Sequence, residues 1–229
     1  MTENNQPGHS ADPDTRLFVA RRDWSLALIC GLCISIELIL QASDLGWIEF
    51  PRLRQATYEF AGFWPGLLRD WGPNYAGQPA LMFLTYGFLH GGLGHLVVNM
   101  ITLWSLGRAT LDRVGTRAFC ILYALSVLGG AFGYGLIGTS LQPMVGASGA
   151  LFGLAGALLA WDYIDRYTFE DRLWPVARTV LFLIALNAIL YIAMAGQLAW
   201  QTHLGGFIAG WIAAMLIDPR SRDHRPTDT

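Results

Sequence analysis

There is no lysine in this chain; all 15 of its basic residues are arginine. Charge of either sign is scarce as well. Only 14% of the 229 residues are Asp, Glu, Lys or Arg, about half of what a soluble domain carries. Three stretches have none of them, residues 71–107, 118–161 and 179–217, together 120 positions. A soluble domain of this length would have to bury all three as core helices, with too little polar chain left to cover them. A bilayer removes that difficulty, because a span needs only about 20 apolar residues. The scarcity of charge thus excludes an ordinary soluble enzyme and a disordered chain. A net charge of −2 offers nothing to a polyanion, so nucleic acid is excluded as a partner. Cysteine is scarce too, with three residues. Cys30 and Cys33 have redox spacing, but they and Cys120 lie in or beside apolar runs, where cysteine packs as a small apolar side chain.

What is present is apolar: 53% of the chain is hydrophobic. The pattern predicts an all-α, polytopic membrane protein of six spans. Residues 1–23 and 218–229 read as flexible polar tails, and 24–217 as one membrane domain. The first apolar run, 24–43, is long for a signal peptide and no small-x-small cleavage site follows it, so it reads as a retained span. Segment 44–79 mixes charge, proline and aromatics such as Trp47, Phe63, Trp64 and Trp71, a composition suited to a membrane interface. Breaks at Gly138–Pro143 and at Gly196-Gln197 divide the two longer charge-free stretches. The remaining spans are then expected near 94–111, 116–137, 147–163, 174–195 and 202–217. With six spans, twelve arginines fall on the side of both termini and only Arg52, Arg54 and Arg69 on the other. The positive-inside bias predicts cytoplasmic termini, and the short tails favour a bacterial plasma membrane.

Polar groups within spans are functional candidates by default. Ser148 falls in the first turn of the fourth span, where a helix N-terminus offers unpaired N–H groups. It reads either as an ordinary N-cap or as a reactive group. Gly149, Gly153 and Gly156 follow it as a small-residue face. His203 begins the last span, with Gly206 and Gly210 on the same helix face. Packing these two glycine faces together would bring His203 within hydrogen-bonding reach of Ser148, where it can serve as a general base. His95 and Asn99, four residues apart, share one face at the start of the second span, and both can donate hydrogen bonds to an oxyanion. His90 is five residues from His95, off one helical face, and no HExxH pattern completes a metal site; it is expected to fix the preceding loop. Glu37 in the first span reads as a carboxyl hydrogen-bonded inside the bundle or as part of a proton path. No Asp or Glu near His203 offers a third member, so a serine–histidine dyad is expected.

Taken in order, His90-x4-His95-x3-Asn99, Gly146-Ala-Ser148-Gly149 with Phe152, and His203-x2-Gly206-x3-Gly210 resemble the rhomboid family of intramembrane serine proteases. The resemblance covers roughly residues 85–217. It implies a six-helix bundle with a partly embedded loop after the first helix, no cofactor and no metal. It implies Ser148 as nucleophile, His203 as base, and His95, Asn99 and the Ser148 N–H as the oxyanion hole. Gly206 and Gly210 would permit close helix packing, and Phe152 would stack near His203. Implied substrates are single-span membrane proteins with small residues at the cut, cleaved near the non-cytoplasmic side. Leu81 and Met82 stand where the family often has Trp-Arg, so the loop must be anchored differently, with Arg69 or Trp71 as candidates. The rival reading is a non-catalytic membrane protein, either a transporter or a protein-dislocating factor of the same shape.

Overall fold

The computed structural model describes residues 24–139 and 141–217. Among these residues the secondary structure is helical, without named strands. The two expected tails lie outside the described residues.

Helix α1 runs Trp24–Asp44. After it come a short helix α2, Leu53–Ala61, a 3-10 turn at Pro65–Leu68, and helix α3, Gln78–Thr85, which passes into a 3-10 turn at Tyr86–Phe88. Helix α4, Leu93–Ile137, is kinked within its length. Gly115, at φ 79° and ψ 172°, breaks it into 93–114 and 116–137, the second and third spans. A residue with a Cβ would resist that left-handed φ. Helices α5, α6 and α7 run Ser148–Thr168, Trp174–Ala193 and Trp200–Leu216. Each of the six expected spans therefore has its helix, with ends displaced by a few residues.

Among the described residues three helices, α1, α4 and α6, are long and apolar enough to cross a membrane by length and composition alone. Helix α5 is more enclosed, and α7 has 17 residues, a rise of about 25 Å. These two pack against each other and against α4 to form the centre of the bundle. Trp161 Nε1 of α5 donates to the Ala214 carbonyl of α7 at 3.0 Å. Helix α6 sits at the edge, where Val176 is its only fully buried residue. Its Phe182, Ile184, Ile189 and Ile192 are exposed, as suits a helix whose surroundings are hydrocarbon rather than water.

The segment between α1 and α3 is embedded through one side chain. Phe63 is completely buried, with its ring edge-on to Phe83, Tyr86 and Tyr134 at centroid distances of 5.0, 6.1 and 6.0 Å. Its backbone exchanges two hydrogen bonds with Met144, of 3.0 and 2.9 Å, four residues before Ser148. The loop is therefore tied to the strand-like lead-in of α5.

Glu37 has a partner that the sequence did not name. Its side chain is fully buried, and both oxygens accept from Arg54 of α2, at 2.8 and 3.0 Å. Arg54 also pairs with Asp44 at 2.6 Å. Burial opposes the guanidinium charge, but the hydrogen bonds to Glu37, Tyr58 and Asp44 outweigh it and hold the pKa above its ordinary value. The Tyr58 hydroxyl, which burial also pushes up, donates to the His90 carbonyl at 2.6 Å, and Arg54 reaches the same oxygen at 3.2 Å. This ion pair anchors the loop where the family's Trp-Arg pair is absent. Arg69 adds a second tie, donating to the Gly138 carbonyl at 3.1 Å. Trp71 packs on Trp64 within the loop itself, while Leu81 is exposed and Met82 fully buried.

Candidate active site

Ser148 is the first residue of α5, and the chain enters it through Gly146, whose φ of 132° is open to glycine but not to ordinary side chains. The Gly146 N–H donates to the Tyr86 carbonyl at 3.0 Å, which fixes the loop ahead of the serine. A helix start leaves its first N–H groups without intrahelical partners, so the serine hydroxyl and free backbone donors sit side by side.

Helix α7 brings His203 to this point by close backbone contact. A Cβ on Gly206 would overlap the Gly149 carbonyl oxygen, and one on Gly210 would overlap that of Gly153. The two glycine faces do pack together. At the resulting separation His203 Nε2 lies 2.8 Å from Ser148 Oγ. The imidazole is stacked on Phe152, with centroids 4.2 Å apart and planes within 7°. His203 is buried, at 4% exposure.

The other ring nitrogen is also engaged. His203 Nδ1 lies 2.9 Å from Asn187 Oδ1 on α6. The expected dyad, which rests on the lack of an acidic residue near His203, does not include this asparagine. The signal that would have found it is its position as the single amide in an otherwise apolar stretch, 180–196.

His95 and Asn99 approach the same place from α4. A Cβ on Gly146 would lie 2.8 Å from His95 Cε1, 3.1 Å from Nε2 and 3.8 Å from Asn99 Nδ2, so both side chains converge on the residue two before Ser148. The Gly91 N–H donates to His95 Nδ1 at 3.2 Å. In a neutral imidazole that leaves the proton on Nε2, the nitrogen facing the site. Asn99 Nδ2 is buried without a hydrogen-bond partner among the described residues, an unusual state that leaves a donor available. His90 is fully buried, with its ring edge-on to His95 at 5.3 Å. Its carbonyl is the group that Tyr58 and Arg54 hold, so His90 joins the loop anchor to the His95 segment.

One hydroxyl, one imidazole oriented by two partners, and several donors around Gly146 make a constellation that can carry out acyl transfer. An imidazole placed to accept the hydroxyl proton provides the nucleophile, and preorganised N–H donors provide charge stabilisation.

Comparison with known proteins places the chain among its relatives. RHOMBOID-like protein 5 of Arabidopsis thaliana is 34% identical over 131 residues, covering 57% of this chain and 41% of the relative. Rhomboid protease GluP of Bacillus subtilis is 33% identical over 131 residues, covering 57% of this chain and 25% of the relative. RHOMBOID-like protein 6, mitochondrial, of Arabidopsis thaliana is 31% identical over 159 residues, covering 66% and 49%. The chain thus spans about half or less of the length of these curated relatives. The Rhomboid domain family model matches residues 78–220, which include every candidate site residue. A multi-pass helical bundle with this ordered set of motifs, matched by that model over more than half its length, belongs to the rhomboid family.

Proposed function

We propose that this protein is an intramembrane serine endopeptidase. The observation that carries the reading is the 2.8 Å contact between Ser148 Oγ and His203 Nε2, on two helices locked by glycine contacts. Ser148 attacks the scissile carbonyl of the substrate while His203 takes its proton. The developing oxyanion is held by His95 Nε2–H, Asn99 Nδ2 and the Ser148 N–H. His203 then protonates the leaving amine, and water, activated by the same imidazole, releases the acyl group from Ser148. His90, Gly146, Gly149, Phe152, Gly206 and Gly210 support this arrangement through packing and loop position. No step calls for a metal or a cofactor.

The substrates are single-span membrane proteins, cut near the non-cytoplasmic face, with both termini of the enzyme in the cytoplasm of a bacterial cell. The arginine asymmetry supports that orientation. Glu37 paired with Arg54 is a structural anchor, which leaves the transporter reading without its proton path.

The test is cleavage of a single-span test protein by the purified enzyme in lipid vesicles. Discrete cleavage products with wild-type protein, and none with Ser148→Ala, uphold the reading. Intact substrate after incubation with folded wild-type protein, across several single-span sequences, supports a non-catalytic member of the family instead.

A further inference from the structure

A dyad leaves one nitrogen of its histidine without an assigned task, and here that nitrogen is occupied from a different helix. Asn187 is half-buried on α6, in a stretch that is otherwise almost wholly apolar. An amide in such a setting is costly unless it is hydrogen-bonded, and its partner is His203 Nδ1 at 2.9 Å.

We infer that Asn187 is a positioning residue that sets the tautomer of His203, and that the reactivity of Ser148 therefore depends on α6 being docked. The inference rests on the protease reading above and deepens it. A neutral imidazole has one N–H and one lone pair. The Asn187 carboxamide oxygen only accepts, so it holds the proton on Nδ1. The Nε2 lone pair then faces the Ser148 hydroxyl, which is the arrangement proton abstraction requires. With the opposite tautomer, Nε2–H would point at the serine and could take no proton from it. During attack the serine proton moves to Nε2 and later to the leaving amine. Asn187 neither gains nor loses a proton, but its bond to Nδ1–H becomes charge-assisted while the ring is an imidazolium.

The second element of the inference is the helix that carries the asparagine. The one fully buried residue of α6, Val176, lies at the end remote from the site. Near the site, Leu183, Asn187 and Tyr191 of α6 and His203, Leu204 and Phe207 of α7 line a groove of about 430 Å³ between the two helices. The Asn187–His203 hydrogen bond crosses that loosely filled boundary. An outward shift of α6 by about 1 Å would stretch it beyond hydrogen-bonding range. Docked α6 gives an oriented base, and displaced α6 gives a ring free to rotate or change tautomer.

The test measures the rate at which a small fluorophosphonate labels Ser148 in the full-length protein in detergent. It compares wild type with Asn187→Leu, Asn187→Ala and Asn187→Asp. Leucine fills the space but accepts nothing, alanine only removes atoms, and aspartate accepts and cannot donate. The expected result is labelling slowed on the order of 10- to 100-fold in the leucine and alanine variants, below the roughly 10⁴-fold loss seen when an orienting carboxylate is replaced. Aspartate should stay within about threefold of wild type, and kcat for a single-span substrate should follow the labelling rate with KM nearly unchanged. Nitrogen-15 chemical shifts of the His203 ring should show Nδ1 protonated in wild type and a tautomer mixture in whichever apolar variant folds. Labelling at the wild-type rate in a folded leucine or alanine variant, or aspartate as slow as leucine, would overturn the inference while leaving the protease reading intact. If wild type itself does not label, the protease reading fails and the statement about Ser148 reactivity falls with it; the ring shifts then test the tautomer assignment alone, an unchanged tautomer in the apolar variants overturning it and a mixture upholding it.

Discussion

At Ser148 and His203 the chemistry and the packing meet in single atoms. On the proposed mechanism, replacing either by alanine removes the nucleophile or its base, and cleavage of a single-span substrate should fall by about 10³-fold or more. Both variants should retain the unfolding temperature of wild type to within a few degrees, because neither fills the glycine contact. Asn99→Ala removes a buried donor that has no hydrogen-bond partner among the described residues. It should lower kcat on the order of 10²-fold with little change in KM, the pattern of a group that acts on the developing oxyanion. These residues were legible in the sequence because each is polar in an apolar run and each stands at a helix start. Asn187 was not, because it lies deep in its span, far from the helix start, with no second strongly polar group at helical spacing beside it. Its meaning emerges only once α6 is placed beside α7.

Between elements, the decisive contacts are backbone to backbone. Helices α5 and α7 approach so closely at Gly149–Gly206 and Gly153–Gly210 that no Cβ fits. Gly210→Ala should therefore push the helices apart and cost about 1–3 kcal/mol, read as a lower unfolding temperature. It should also lower activity, since Ser148 and His203 lie on the separated helices. The loop after α1 shows the opposite kind of contact, a buried ion pair. Arg54→Ala strands Glu37 without its partner and should destabilise the protein by about 3–5 kcal/mol. Adding Glu37→Gln to that variant should recover part of the loss, which a double-mutant cycle on unfolding free energies would measure. The small-residue faces predicted the helix pairing directly. The ion pair was only half visible, since Glu37 demanded a counter-charge but nothing local to it in sequence pointed to Arg54, 17 positions away on the separate short helix α2.

For the molecule as a whole, the shortage of charge dictates the architecture. Six helical spans follow from three charge-free stretches and one earlier apolar run, and two of the breaks between them carry a glycine at positive φ, Gly115 and Gly196. Helix ends were displaced by a few residues because capping and fraying depend on contacts that periodicity does not record. The embedded position of Phe63 was beyond reach for the same reason, as an aromatic in a mixed segment fits an interface and a plug equally well. The bundle encloses a small polar cluster between α4, α5, α6 and α7 while leaving apolar side chains outside. On the proposed reading the nucleophile belongs to this enclosed cluster. The most direct measurement is therefore mass-spectrometric mapping of a fluorophosphonate adduct on the solubilised wild-type protein. A single adduct on Ser148, absent from His203→Ala, is the expected result. Folded wild-type protein that carries no adduct, or carries it on another residue, would contradict the assignment of Ser148 as a nucleophile activated by His203.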